Sequence, residues 1–405
     1  MTIFDEMSSM YAALIATDDA LRDEMEQRTM NHEKALATLE DRVAVLYEAQ
    51  NDQLARIEAL EAPVVTRPTM LLREAAYEAT IVFSPHDITP VPEVRAPSSG
   101  TTSYVDSHPE VGTADGAEAI VDAARLAYAH YLNGAYDAAF QIVKDWAATC
   151  QSILFDQPRR VDNKSQVWAN GLLVSAWAGS LFARVLHGLS FDHDYDVRVE
   201  AEWLHRVFLP NVESGWSNAS NWIMSANLAS LEIAALHENT ALWDAQIAYF
   251  EDKLPACWHL SSEDGPVPPP QAHWWKTTDD IKKGWHNPPA FVDGLGQESY
   301  ADYSHHQMAF TAAGQIVELS DSWDVHHDRM HAVSERHAEE LNAYLDGDST
   351  KLVSGLGGDS WKVGWNLFAK RLTNAPETVR LAERLNPDDW AFHNSWSSAV
   401  WTTHE

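Results

Sequence analysis

The chain lacks most of the features that place a protein quickly. It has two cysteines in 405 residues, Cys150 and Cys257. That excludes a disulfide framework and a four-cysteine zinc site, and the apolar helical surroundings of each suit a buried free thiol. Basic residues are scarce, 28 Lys and Arg against 60 Asp and Glu, for a formal charge of −32. A surface this acidic does not track nucleic-acid phosphates and is repelled by anionic membranes. It repels a polyanionic substrate too, unless the cleft that meets it is locally neutral or basic. No stretch approaches the roughly 18 apolar residues needed to span a bilayer, so no membrane insertion is expected. The opening MTIFDEMSSMYAALIATDDALRDEME has early acids and no basic region ahead of an apolar core, unlike a secretory signal.

What is present is enough apolar material, 45% of residues, for one large core and an additional segment. Seventeen tryptophans are available to stack on sugar faces or to fill a helical core. Three regions follow along the chain. In residues 1–62, Leu36, Leu39, Val43, Leu46, Gln50, Gln53, Ile57 and Leu60 alternate steps of three and four. This is the a/d seam of a short coiled coil, which predicts a homo-oligomer, expected as a trimer, through residues 25–60. The other reading is a solitary amphipathic helix lying on the following domain. Pro63 and Pro68 end this helix, and residues 63–116 read as a Pro/Ser/Thr-rich linker or small β-collar with a strand-like piece at Ala79–Phe83.

From residue 117 to 405 the texture becomes repeated amphipathic helices joined by short polar turns. Apolar spacing of three and four predicts helices at Ala117–Asn133, Tyr136–Thr149, Ser165–Leu186, Val197–Leu209, Asn221–His237, Thr240–Leu254, His306–Leu319, Asp324–Asp346, Trp361–Leu372 and Pro376–Leu385. An all-α domain of stacked antiparallel helix pairs is expected. Residues 255–296 break the pattern with a Pro-, Trp- and Gly-rich loop, of a length more typical of a binding or lid segment than of a neutral connection.

Two segments put polar groups where a buried helix should be apolar. Ser217-Asn218-Ala219-Ser220-Asn221-Trp222 opens one helix, where Ser220 or Asn221 serves as an N-cap. An Asn at a buried helix start has a second use, because its amide and the free N–H groups there neutralise a carboxylate. Gly296-Gln297-Glu298-Ser299-Tyr300-Ala301-Asp302-Tyr303-Ser304-His305-His306-Gln307 leads into another helix, concentrating acids, tyrosines and histidines. These are proton donors and acceptors near neutrality, although a polar loop with backbone-satisfied histidines reads equally well. Trp274, Trp275 and Trp285 in the long loop are sugar-stacking or packing residues. His326-His327 with His331 gives a histidine pair one turn apart. No acid completes a metalloprotease pattern there, and an exposed polar face is expected.

The order of SNASNW opening one helix and GQESYADYSHHQ opening a later one resembles the alginate lyase family of polysaccharide lyases. LAYAHYLNGAYDAAFQIVKDWA early in the domain, Trp365-Asn366-Leu367-Phe368, and the stretch from Trp390 to Trp396 are similar to further parts of that family. Together they cover roughly residues 117–405. The resemblance implies an incomplete α/α toroid with a cleft across the inner helix ends, and β-elimination at a uronic acid. It implies Asn221 as the group that neutralises the substrate carboxylate, and matches His305 and Gln307 to a His-x-Gln element. Catalysis is expected from Asn221, His305, Tyr300 and Tyr303, and substrate binding from Gln297, Glu298, Gln307, Trp222, Trp274, Trp275 and His306. Neither a metal nor a cofactor is expected. The chain departs from the family at Ala301, where relatives carry Arg, at Trp222, where some carry a catalytic His, and near Gln307, where a Tyr is usual. A coiled coil ahead of a glycan-active domain, without an export signal, resembles the layout of bacteriophage tail appendages. A virion tail location, with other tail proteins and a host surface polysaccharide as partners, is the resulting expectation.

Overall fold

The structure, a computed structural model, describes residue 72 and residues 115–151, 153, 158–160, 166–168, 171–213, 220–263, 265–269, 277–300, 303–348 and 365–384. The heptad seam of residues 36–60, the strand-like piece at 79–83, Trp274, Trp275 and the stretch 390–396 lie outside the described residues.

The described part is all-α. Its helices are α1 (Asp115–Leu132), α2 (Tyr136–Thr149), α3 (Gly171–Asp192), α4 (Arg198–Val207), α5 (Leu209–Val212), α6 (Ser220–Leu236), α7 (Thr240–Cys257), α8 (Thr278–Gly284), α9 (Tyr303–Leu319), α10 (Trp323–Leu345), α11 (Trp365–Arg371) and α12 (Pro376–Arg384). They are joined by an antiparallel pair, β1 (Pro158–Arg160) and β2 (Gln166–Trp168), with Arg159 opposite Val167.

Pattern decides which helices lie inside. In α6 every residue except Trp222 is buried. A helix apolar on all sides needs cover on all sides, and α6 is flanked by α3, α7 and α9. Its small residues Ser225, Ala226, Ala229, Ser230, Ala234 and Ala235 let those neighbours approach. α3 is covered in the same way by α1 and α6. By contrast α4 buries Ala201, Trp203, Leu204 and Val207 and leaves Arg198, Val199 and Glu202 exposed, which is the one-sided pattern of an outer helix.

A buried polar layer fixes the direction of the inner helices. Arg184 donates through Nε to Glu232 Oε1 at 2.8 Å and through Nη2 to Gln315 Oε1, and its charge acts on the buried Tyr128 hydroxyl. Each of the four residues lies twelve or thirteen positions into its helix, Tyr128 from Asp115, Arg184 from Gly171, Glu232 from Ser220 and Gln315 from Tyr303. They therefore meet about 18–20 Å from the helix starts. Helices α1, α3, α6 and α9 run parallel, with their amino-terminal ends together: beyond this layer Tyr131 lies against Gly188 and Ser190 shares a hollow with His237, and at the other end Ser220 bonds Glu298 just ahead of α9. The outer helices return between them. Asn227 Nδ2 donates to Gln246 Oε1 at 2.8 Å across α6 and α7, and the His306 and His337 rings meet at 3.7 Å across α9 and α10.

Several expectations are corrected in detail. The helix expected to begin at Ser165 begins at Gly171, because Gln166–Trp168 pairs with Pro158–Arg160. The helix expected over Val197–Leu209 stops at Val207 and restarts as α5 with Pro210 in its first turn. Proline cannot donate to a preceding turn but is tolerated at a helix start. The residues Leu172–Phe191 are long and apolar enough to cross a bilayer, contrary to expectation, yet they are buried in the core and contain Arg184. Ahead of the domain, Leu72 packs against the core and donates its N–H to Glu238 Oε2 at 3.1 Å. Glu238 sits in the turn after α6, at the carboxyl-terminal end of the inner helices.

Candidate functional site

The two polar segments meet. Ser220, the first residue of α6, donates its hydroxyl to Glu298 Oε2 at 2.7 Å, and Glu298 lies five residues before the start of α9 at Tyr303. Both segments therefore stand at the shared amino-terminal end of α6 and α9, where unpaired N–H groups and helix dipoles give positive potential. Asn221 is 1% exposed, and its Oδ1 is buried with no hydrogen-bond partner among the described residues. The oxygen and nitrogen of an amide exchange places by a simple flip. Asn221 thus presents, at a helix start, a polar group that the described residues leave unmatched. Trp222 beside it is half-buried against the core.

The backbone of the second segment is held tightly. His259 N–H donates to Leu295 O at 2.9 Å and Gln297 N–H to Cys257 O at 2.8 Å, so the end of α7 pairs with residues 295–297. Two glycines make this possible. Gly294 has φ 75°, and a Cβ there would lie 2.2 Å from Ala332 O on α10; one on Gly296 would lie 2.0 Å from His306 Cε1. The Gln297 side chain donates to Gly284 O at 3.0 Å and lies 3.5 Å from His286 Nε2, while its Oε1 is buried without a partner among the described residues. Gly284 closes α8, whose last turn carries Lys282 and Lys283. Lys282 and Lys283 precede Gly284 directly in sequence, in a chain of charge −32. Desolvation holds the His286 imidazole below its usual range, which favours its neutral form.

The histidines divide sharply. His306 has no exposed surface, and burial, aided by the charge on Arg336, pushes its imidazole down to about 3. His337, pressed against it, is lowered too, first by burial and then by His306 and Arg336. Both rings are neutral packing elements, with Trp258 and Phe310 around His306. His306, expected among the binding residues, contacts no solvent in this conformation. Gln307 is 1% exposed and accepts from Trp365 Nε1 at 3.3 Å. Tyr300 and His305 keep partly exposed side chains, and Tyr303 begins α9. Of the expected site, then, Asn221 is brought to the same helix end as Gln297 and Glu298, and His306 and Gln307 are turned into the core. Trp285 is a packing residue, fully buried, with Nε1 donating to Val267 O at 2.9 Å.

Among the described residues no three His, Cys, Asp or Glu side chains are grouped to hold a metal, and the His327 and His331 rings stand 5.7 Å apart on an exposed face of α10. Cys150 and Cys257 are buried free thiols. The buried Arg184–Glu232 pair escapes a reading based on motifs. Its signal is nonetheless in the sequence, a lone Arg inside GLLVSAWAGSLFARVLHGLSFD and a lone Glu inside SNWIMSANLASLEIAAL. Opposite charges set singly into two helices that are otherwise apolar are costly unless they meet.

No family model matches the chain, and neither a curated protein nor a solved structure matches it. The likeness to alginate lyases rests on the short motifs quoted above.

Proposed function

We propose that the helical domain is a carbohydrate-active module that engages an acidic polysaccharide at the amino-terminal end of its inner helices and cleaves it by β-elimination. The observation that carries this reading is Asn221, buried at the start of α6 with its side-chain oxygen unmatched among the described residues. An amide N–H and the positive end of a helix together neutralise a uronate carboxylate, which makes the neighbouring C5 proton acidic. His305 or Tyr300 removes that proton and Tyr303 protonates the departing glycosidic oxygen. Lys282 and Lys283, in the helix turn just ahead of the Gly284 carbonyl that Gln297 contacts, lessen the repulsion that the acidic chain exerts on such a polymer. The alternation of parallel inner helices with returning outer ones is what an incomplete α/α toroid requires. The heptad seam over residues 36–60 supports display of the domain on an oligomeric stalk, taken as a trimer, in a virion tail, against a host surface polysaccharide.

The test is incubation of the full chain with a panel of uronic-acid polysaccharides, read by absorbance of the unsaturated product. Asn221→Ala is expected to lower turnover by about 10²–10³-fold while leaving the unfolding midpoint nearly unchanged, since the lost oxygen has no partner among the described residues. Full turnover in that variant sinks the assignment.

A second reading is favoured by Glu298. Its carboxylate already sits against Ser220 at the start of α6, where a substrate anion would bind. In that case the domain binds glycan without cutting it, as an adsorption protein. Binding of a polymer with no unsaturated product selects this reading over the first.

A further inference from the structure

We infer that a hollow at the opposite, carboxyl-terminal end of the inner helices is a second binding site, for a neutral, hydroxyl-rich ligand such as a sugar unit. The hollow has a volume of about 410 Å³ and is lined by Ser190 at the end of α3, Tyr195 and Asp196 in the turn that follows, Arg198 and Glu202 on α4, and His237 just after α6. Small-ligand sites run to roughly 300–1,000 Å³.

Its chemistry is mixed on purpose-built geometry. Arg198 and Asp196 lock each other through two bonds, Nε to Oδ1 at 2.8 Å and Nη2 to Oδ2 at 2.6 Å. Their side chains are 87% and 64% exposed, so their remaining N–H groups and lone pairs stay open to a ligand. Glu202 adds acceptors, and Ser190 adds a hydroxyl. His237 Nε2 donates to Ala201 O at 2.9 Å, which leaves Nδ1 as the ring's second polar atom. Tyr195 is braced by its bond to Asp137 at 2.5 Å and by the edge of Phe140, with ring centroids 5.1 Å apart. It offers fixed aromatic carbon to the C–H face of a sugar. Two helix carboxyl ends (α3, α6) and one amino end (α4) converge there, beside one cation and two carboxylates. A ligand charged in one sense is opposed by part of this lining. A neutral polyol finds a donor or acceptor at every side.

Calorimetric titration of the full chain with D-glucose, D-galactose and N-acetyl-D-glucosamine, with D-glucuronate and D-glucosamine as charged comparisons, tests the inference. At least one neutral sugar is expected to bind, more tightly than either charged one. Arg198→Ala and Glu202→Ala, both at exposed positions, are each expected to weaken it about tenfold, or about 1.4 kcal/mol. Asn221→Ala is expected to leave it unchanged, so the result stands apart from the fate of the amino-terminal site. No heat from any neutral sugar at its highest soluble concentration overturns the inference. So does binding that survives both substitutions, or tighter binding of a charged sugar.

Discussion

The two ends of the inner helices differ most in how their polar residues are held. At the amino-terminal end Ser220, Asn221, Gln297, Glu298 and His306 are all at most 6% exposed, fixed by backbone pairing and by two glycines that admit their neighbours. At the carboxyl-terminal end the Asp196 and Arg198 side chains are 64% and 87% exposed and hold mainly one another. A buried, partly unmatched polar group is organised before any ligand arrives. An exposed ion pair contributes little by itself and is completed by what binds it. The first arrangement suits chemistry that needs fixed dipoles, and the second suits recognition that need only be selective.

The comparison is broken most severely in the middle. Arg184→Ala removes the cation that joins Glu232 and Gln315 and leaves a carboxylate buried without its counter-charge. The expected loss is about 3–5 kcal/mol of unfolding free energy, measured by urea denaturation, with both ends losing ligand binding together. A loss below about 1 kcal/mol would show that the layer does not hold the helices in register.

Acid sharpens the contrast next. His306 titrates near 6.5 when unfolded and at about 3 when folded, so the unfolded chain binds the extra proton first. The stability that the neutral ring contributes is complete above about pH 6.5 and is lost as pH falls from there toward about 3. His337 acts in the same direction. Unfolding free energies followed from about pH 7 down to pH 4 should fall by an amount on the order of a few kcal/mol, and His337→Phe should flatten that slope. An unchanged slope in the variant removes the histidine pair as the cause.

The smallest effect belongs to the exposed end. Arg198→Ala should leave the thermal midpoint where it was, because the pair it breaks is fully solvated. A clear drop in midpoint would mean that α4 depends on that pair for its first turn.

Much of the fold was legible because helix periodicity is local. Tyr136–Thr149 is found with the predicted bounds, and the starts at Ser220, Thr240 and Pro376 lie within one residue of expectation. α8 was missed although Thr277 caps it and acids and lysines flank it in the order the dipole favours. Seven residues in a Pro-rich loop are too few for an apolar period. The site was legible only as two separate segments. Their junction is a bond between Ser220 and Glu298, 78 positions apart, and no local pattern encodes such a contact. Burial divided neighbours that the sequence makes look alike, sealing His306 beneath Gly296 and leaving His305 partly open. The helix position of each ring against α10 decides that, not its composition.

The bond from Leu72 to Glu238 has a mechanical consequence. A pull on the chain ahead of residue 72 is delivered to the turn after α6, at the end of the helices away from Asn221. Ser220 and Asn221 stand the full length of α6 away from that anchor.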